Sequence, residues 1–559
     1  MPSCFSIIII LSGFGEVVTL AQNKKQNYLQ GAVVLTISVI VMKIFGGIYK
    51  IPLANILGKE GNAYFTMAYT IFTVLQNLST AGLPVAVSRL ISEASELNRP
   101  NQVRRIFRVA VTAFGVIGTV GSLIMMIFPA ELADSMGNVK SAQSILALAP
   151  SVALVCVLSA YRGYIQGHSN MTPTSVSQAI EVIVKVIFGL ALALLAARAG
   201  MSVPMLSAAA VSGVPIGSAA ALAYIIYKKR QFDRETLKPL ASPDVPETVP
   251  KVLKRLLSIC IPISLGASIL SVISLIDLQL TMHRLQTAVG FTESHATELY
   301  GVYGMILTLY NLPAAVITSL TVSIVPAIAA ALARRSIPEA REITESSLRI
   351  STILALPMGI GLSVLAYPVC YVIYYRSMSV EGPYLLAVLG IASYFVCMSL
   401  MTNAILQASG RERLPVYSMI VGGLVKIALN WFLVARPELN IVGAPIGTLV
   451  CYIVMFAMNW HYVSKTMQGG LSLAKIMLRP AVSGITMGAA AWAVYSIAAR
   501  LLTQGGVLGH MRMAIAMCAG IGAGVVVYLV MIILMRAITA EDLSLMPKGD
   551  RLAKLLRIK

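Results

Sequence analysis

The sequence predicts an all-α polytopic membrane protein, built as two similar helical bundles in tandem with fourteen membrane-spanning helices in all. Three observations carry this. The 559 residues are 57% hydrophobic and only 12% charged, with a mean hydropathy of +0.81, whereas a soluble globular chain gives about a quarter of its residues to charge. Apolar runs of about 20 residues recur throughout, each long enough to cross a hydrocarbon core about 30 Å thick. Finally, one stretch repeats itself 241 positions later. Gln166, a short polar loop, Pro173 and Lys185 in an apolar run are matched by Gln407, a polar loop, Pro415 and Lys426, with 19 residues from Gln to Lys in each copy. Internal repeats in an apolar chain mark secondary transporters, whose sites lie between the repeats.

In chain order the spans are expected at 31–57, 63–90, 108–128, 142–166, 173–197, 203–227, 253–282, 299–333, 346–373, 383–407, 414–434, 442–464, 478–499 and 512–536. Gly and Pro inside several of them are compatible with membrane helices. Charge tests the count. With a cytoplasmic N-terminus, 31 of the 43 Lys and Arg fall in cytoplasmic segments, 8 in outer loops and 4 (Lys43, Lys50, Lys185, Lys426) within spans. That bias follows the positive-inside rule, and losing one span would invert every later loop. Both termini are therefore expected in the cytoplasm. The net charge of +20 reads as anchoring against anionic lipid rather than as a nucleic-acid surface.

The polar, proline-rich run from Lys228 to Pro250 reads as the linker between the bundles. Residues 538–559 form a basic tail, either an amphipathic helix on the inner leaflet or a solvated segment. Residues 1–19 are apolar over Phe5–Leu11 without a preceding Lys or Arg, unlike a signal peptide; a misassigned upstream start, with the true chain beginning near Leu20, accounts for them. The seven cysteines are scattered and form no CxxC or Cys/His cluster, so neither a disulfide framework nor a metal site is expected. The chain has no GxxxxGK[ST], GxSxG or HExxH motif, which turns the reading from enzyme to transporter, with no cofactor expected.

Ionisable groups inside spans are costly and tend to be functional. Lys43 and Lys50 are seven apart on the first span, on one face and two turns apart. Asp277 and Arg284 have the same spacing on the seventh span, which also carries a polar stripe of Ser264, Ser268, Ser271 and Ser274. Two first helices with charged, polar faces suggest a hydrated cavity between the bundles, with Asp277 and the serines as polar or coupling candidates. The blander readings are snorkelling for Lys50 and Arg284 and helix–helix glue for the serines. Glu181 and Lys185 are expected to neutralise each other at i,i+4, and Lys426 lacks that local partner because Gly422 stands in place of the Glu. Arg89, at the cytoplasmic end of the second span, is placed to meet an anionic headgroup.

Lys43-Ile44-Phe45-Gly46-Gly47-Ile48-Tyr49-Lys50, followed by Leu57-Gly58-Lys59-Glu60-Gly61-Asn62-Ala63-Tyr64, resembles the opening of the polysaccharide-transporter branch of the multidrug/oligosaccharidyl-lipid/polysaccharide (MOP) flippases. Ala81-Gly82-Leu83-Pro84 and Ser88-Arg89 look like the second helix of that branch. The likeness runs over residues 25–540 and is strongest to the sporulation stage V protein B group, relatives of the lipid II flippases. It implies two pseudo-symmetric six-helix lobes (29–228 and 251–465) joined by a linker (229–250), with two further helices (466–537) that form a groove for a polyprenyl tail. It also implies that Lys43, Lys50, Arg89 and, more loosely, Arg284 engage the diphosphate of a lipid-linked glycan. Lys stands here where relatives often carry Arg, and Lys cannot make the bidentate fork to phosphate.

The resemblance thus implies a flippase for an undecaprenyl-diphosphate-linked precursor of the bacterial cell wall, lipid II first. The chain would sit in the cytoplasmic membrane among membrane lipids and cell-wall synthesis proteins, and couple to the membrane potential or to Na+ or H+. The alternatives are a flippase for another undecaprenyl-linked glycan, a drug/cation antiporter, and a non-transporting scaffold. The antiporters typically have twelve helices and acidic cavities, which fits less well.

Overall fold

The structure is a computed structural model that describes residues 28–168, 170–236, 244–377, 379–468, 471–504, 509–535 and 537, with side chains described at most positions from Tyr49 onward. The expected upstream start and the basic tail lie outside the described residues. The described chain is helical apart from turns and short connections, with no strand among the described residues.

Helix α1 (Tyr28–Thr80) is 53 residues long, about 80 Å if straight and more than twice a hydrocarbon core. It is not straight. Gly58 leaves helical geometry at φ 69, ψ −174, a conformation open to glycine at little cost. Lys50 Nζ lies 5.6 Å from the centroid of the Tyr69 ring, although 19 residues of continuous helix would separate them by about 28 Å. The chain therefore turns back at Gly58, and this hairpin separates the first two of the expected spans. There follow α2 (Leu83–Glu96), α3 (Pro100–Ile127), the short α4 (Pro129–Ser135), α5 (Ala142–Gly167), α6 (Thr172–Arg198), α7 (Val203–Val211) and α8 (Gly213–Thr236). The second half comprises α9 (Val249–Thr287), α10 (Glu293–Ala333), α11 (Ile337–Val364), α12 (Ala366–Ile373), α13 (Gly382–Ala408), α14 (Arg413–Leu433) and α15 (Gly443–Thr466). Helices α16 (Leu473–Gln504) and α17 (Gly509–Leu534) end the described chain. Many begin with proline in the first turn, as α3, α6, α9 and α13 do, where a missing N–H costs nothing and the fixed φ already suits a helix.

Among the described residues, thirteen segments are long and apolar enough to cross a membrane, the first counted as one stretch over Tyr49–Glu96, and Ile324–Ala333 is a shorter apolar helix. The protein is an all-α, multi-pass membrane protein. The repeated motif falls on equivalent hairpins, α5–α6 in the first lobe and α13–α14 in the second. Helix α8 continues through Lys228 to Thr236, so the connection between lobes is shorter than the polar run alone suggested.

The buried side chains form two kinds of core. One cluster is continuous across both lobes and gathers Leu57, Phe65, Met136, Leu206, Leu285, Tyr300, Tyr374 and Ile441, near one set of helix ends. At the opposite ends the core divides. Leu90, Ile106, Ile165 and Ile225 belong to the first lobe together with Leu256 of α9, while Ile328, Ala340, Leu406 and Val463 belong to the second. The lobes are thus joined at one end and parted at the other. Helix α9 bridges them, its first turns packed in the core of the first lobe and its later turns against α14.

The joined end is held by polar contacts between lobes. Asn62 Nδ2 donates to Gly301 O (2.8 Å), Asn138 Nδ2 to Thr297 Oγ1 (2.7 Å), Gln286 Nε2 to Gly137 O (2.8 Å) and Asn55 Nδ2 to Ile373 O (2.8 Å). Close approach here depends on Gly301: a Cβ at that position would stand 1.8 Å from Lys59 O. At the parted end, Asp244 of the linker accepts from the N–H groups of Asn101 (3.2 Å) and Gln102 (3.0 Å), capping the start of α3. Arg255 ties α9 to Glu93 of α2 (3.0 Å) and to Glu247 of the linker (3.4 Å).

Candidate functional site

Between the lobes, midway along the helices, the second limb of α1 faces α9 and α10 across a cavity of about 260 Å3. Lys50 enters it from the first limb of α1; Thr66, Thr70 and Thr73 line one wall, Ser271 and Ser274 a second, and Thr308 and Asn311 a third. Among the described residues, its lining includes one cation, several hydroxyls and an amide, and no carboxylate. The threonine hydroxyls at 66, 70 and 73 each donate to the carbonyl four residues back at 2.8 Å, a satisfied arrangement that leaves their lone pairs open to a donor. Asn77 Nδ2 donates to Ser271 Oγ at 2.7 Å.

The sequence-derived candidates divide. Lys50, Ser271 and Ser274 meet in this cavity. Lys43 lies on the first limb of α1, but its side chain is outside the described residues. Ser264 and Ser268 do not face the cavity: Ser264 Oγ accepts from the Gly82 N–H at 3.2 Å and Ser268 Oγ donates to Ser264 O at 2.7 Å. They serve the close packing of α9 on the α1–α2 junction, where a Cβ on Gly82 would stand 2.3 Å from Cys260 O. The stripe therefore splits into glue and cavity wall.

Asp277 and Arg284 share a face of α9, as their spacing requires, and that face meets α14 rather than the cavity. Asp277 is buried, its carboxylate 2.7 Å from Lys426 Nζ, and it also accepts a hydrogen bond from Asn430 Nδ2. Arg284 lies near the joined end, its guanidinium 4.3 Å from the Trp431 ring centroid and its Nε donating to Trp431 O at 3.1 Å. This corrects the expectation that Arg284 lines the cavity: stacking and a carbonyl bond hold it on the C-terminal end of α14. Arg89 is exposed on α2 toward the parted end, outside the cavity wall.

Sequence reasoning missed Arg162. Left out of the four cations counted within spans, it lies inside α5 with an 11% exposed side chain, and its Nη2 donates to Glu181 Oε2 at 2.8 Å. Glu181 Oε1 takes a further bond from Ser218 (3.0 Å). The expected Glu181–Lys185 pairing is therefore overturned: Arg162, about one and a half turns before the end of α5, reaches across the hairpin and takes the carboxylate. Lys185 has no ion-pair partner among the described residues and lies within electrostatic range of Lys50, which likewise has none. The hairpin spacing across Gly167–Thr172 was the available signal.

A second, chemically opposite cavity of about 720 Å3 opens where α10, α11 and α12 meet α16 and α17, lined by Leu312, Val316, Pro357, Met487, Val525 and other apolar side chains, with the Tyr528 hydroxyl spent on Ile353 O at 2.6 Å.

Two lobes that share a core at one end, flank a polar cavity and carry an appended helix pair define a transporter fold of the MOP type. A solved structure described as the lipid II flippase MurJ in an inward closed conformation superposes with a TM-score of 0.64 at 15% identity, covering 90% of this chain and 99% of its own. The family model described as polysaccharide biosynthesis protein matches residues 28–332. The chain belongs to that family, within the MOP flippase superfamily. Among curated relatives, it is similar to stage V sporulation protein B of Bacillus subtilis, 24% identical over 530 residues (94% of this chain, 99% of the relative). It is also similar to the lipid II flippase MurJ of Bacillus subtilis, 25% identical over 457 residues (78% and 82%).

Proposed function

We propose that the protein moves a polyprenyl-diphosphate-linked cell-wall precursor, lipid II first among them, from the inner to the outer leaflet of the bacterial cytoplasmic membrane. The observation that carries this reading is Lys50, which enters the hydroxyl- and amide-lined cavity between the lobes and has no ion-pair partner among the described residues. A lysine without a carboxylate partner inside a membrane protein is costly unless an anion compensates it, and Lys185 on α6 likewise has no ion-pair partner among the described residues. A diphosphate supplies that charge, the hydroxyl and amide wall suits sugar, and the apolar groove beside α16 and α17 suits a polyprenyl tail.

The parted end carries the Lys- and Arg-rich segments, Arg99–Arg108, Lys228–Arg234 and Lys251–Arg255, so we assign it to the cytoplasm. The molecule then stands in an inward-facing arrangement. At about 260 Å3 the cavity falls below the roughly 300–1,000 Å3 of pockets that enclose drug-sized ligands. It accommodates a diphosphate, and the lobes must part further to admit a glycan head. Outward passage exchanges the polar contacts of the joined end for closure of the parted end, in the rocking motion expected of repeat transporters. An inside-negative potential favours outward movement of an anionic head by about 2.3 kcal/mol per charge per 100 mV, so the potential serves as the driving force.

The test replaces the sole lipid II flippase of a conditional bacterial strain with this chain and scores growth together with outward exposure of lipid II. Rescue with restored exposure is expected. Failure by a well-expressed, correctly inserted protein would exclude lipid II and leave another undecaprenyl-linked glycan as the substrate.

A further inference from the structure

A second cationic cavity lies outside the cleft. It measures about 390 Å3 and sits between α3, α5 and α8 near the parted end of the first lobe. It shares no lining residue with the cavity between the lobes. Arg104 and Arg108, one turn apart on α3, form one wall; Tyr164 of α5 and Lys229 of α8 form the other.

Its charges are arranged rather than scattered. Lys229 is held between two rings, its Nζ 4.5 Å from the Phe107 centroid and 4.6 Å from that of Tyr164, and it is 2.5 Å from Asp233 Oδ2. Asp233 is the one carboxylate among the described lining residues, and its other oxygen accepts from Tyr164 Oη at 2.8 Å. Both oxygens are thus engaged. Arg104 and Arg108 are exposed and have no ion-pair partner among the described residues. Among the described lining residues three cations stand against one carboxylate, an excess of two positive charges, and two of these cations are guanidinium forks suited to phosphate oxygens.

What adjoins the cavity restricts the occupant. The stripe of α3 that begins with Arg104 and Arg108 continues at four-residue spacing through Thr112 to Val116 and Val120, which are 59% and 51% exposed, with Leu123, Ile124 and Ile127 exposed beyond them. A cationic head site thus runs directly into an uncovered apolar face of a membrane helix. A free anion would use only the first part. A molecule with a phosphate head and acyl chains uses both. Basic pockets between membrane helices on the cytoplasmic side are suited to anionic lipid headgroups.

We infer that this cavity binds the headgroup of an anionic glycerophospholipid of the inner leaflet, which is held and not transported. The inference is independent of the flippase reading and uses from it only the assignment of the parted end to the inner leaflet.

The test is native mass spectrometry of the purified full-length protein titrated with dioctanoyl phosphatidylglycerol or dioctanoyl phosphatidylcholine, with inorganic phosphate as competitor. Wild type is expected to retain the phosphatidylglycerol in preference, and the double variant R104Q/R108Q to bind it about tenfold more weakly. The variant K50Q is expected to bind it unchanged. Both arginines are exposed, so the double variant is expected to keep the wild-type melting temperature. Should it misfold, R108Q alone, with an intermediate loss expected, carries the test. Equal retention of the two lipids by wild type, or undiminished phosphatidylglycerol binding by the arginine variants, would overturn the inference. Displacement of the lipid by inorganic phosphate at equal concentration would overturn it in favour of a small-anion site.

Discussion

Lys185 and Lys426 occupy the same place in the two copies of the internal repeat, and the molecule uses them in opposite ways. In the second lobe, Lys426 meets Asp277 at 2.7 Å, and the pair ties α14 to α9. In the first lobe, Arg162 takes Glu181 and leaves Lys185 without a carboxylate, in range of Lys50. The difference teaches how a duplicated bundle becomes asymmetric. One copy spends its charge internally and becomes a rigid strut against the bridging helix. The other leaves Lys185 without an ion-pair partner among the described residues, and in the function proposed above an incoming anion compensates it.

The most severe way to break this contrast is to reverse the charge in the cavity. K50E is expected to abolish transport while leaving folded protein in the membrane, checked by lipid II exposure alongside the level of inserted protein. Full activity of K50E would remove Lys50 from the site. Next comes the strut. D277N leaves Lys426 buried and unpaired, and breaking a buried pair costs about 3–5 kcal/mol. Thermal unfolding in detergent should register that loss, and D277N/K426M should recover most of it because no orphaned charge remains. If D277N unfolds like wild type, the pair is not a strut.

A smaller effect is expected at the joined end. In G301A the new methyl overlaps Lys59 O, which a Cβ would approach to 1.8 Å, and relieving such overpacking costs about 1–3 kcal/mol. A penalty of this size, set against the joined arrangement alone, shifts its population about tenfold. Labelling of T297C by a membrane-impermeant maleimide, in a background without native thiols, should rise accordingly. The smallest effect lies in the linker. Glu247 is held below the usual carboxylate range, first by its hydrogen bond with Lys251 and further by Arg255. A depressed carboxylate contributes stability above its ordinary value, and that contribution is lost as pH falls through the folded value. Hydrogen exchange of residues 244–248, corrected for intrinsic rate, should therefore be faster at pH 4 than at pH 7, and the E247Q variant should remove that difference.

The architecture was largely legible in the sequence. Apolar runs set the spans and the Gln-to-Lys repeat set the two lobes, because a membrane helix must satisfy its backbone internally and so announces itself by length and composition. The face shared by Asp277 and Arg284 followed from a seven-residue spacing, and Lys50 fell in the cavity as its burial cost suggested. What each face meets was not legible. Lys426 lies 149 residues from Asp277 in the chain, and nothing local distinguishes a cavity-facing serine such as Ser271 from a packing serine such as Ser264. Arg162 misled because it stands near a helix end, where a snorkelling cation is the cheaper expectation, although the hairpin brings it level with Glu181.

The central claim is that the first lobe, and not the matching position of the second, holds the substrate's charge. Binding of undecaprenyl diphosphate to the purified protein tests it directly, comparing wild type with K50Q/K185Q and with D277N/K426M. Binding should be lost in K50Q/K185Q and retained in D277N/K426M. Retained binding in K50Q/K185Q, or loss in a folded D277N/K426M protein, would contradict it.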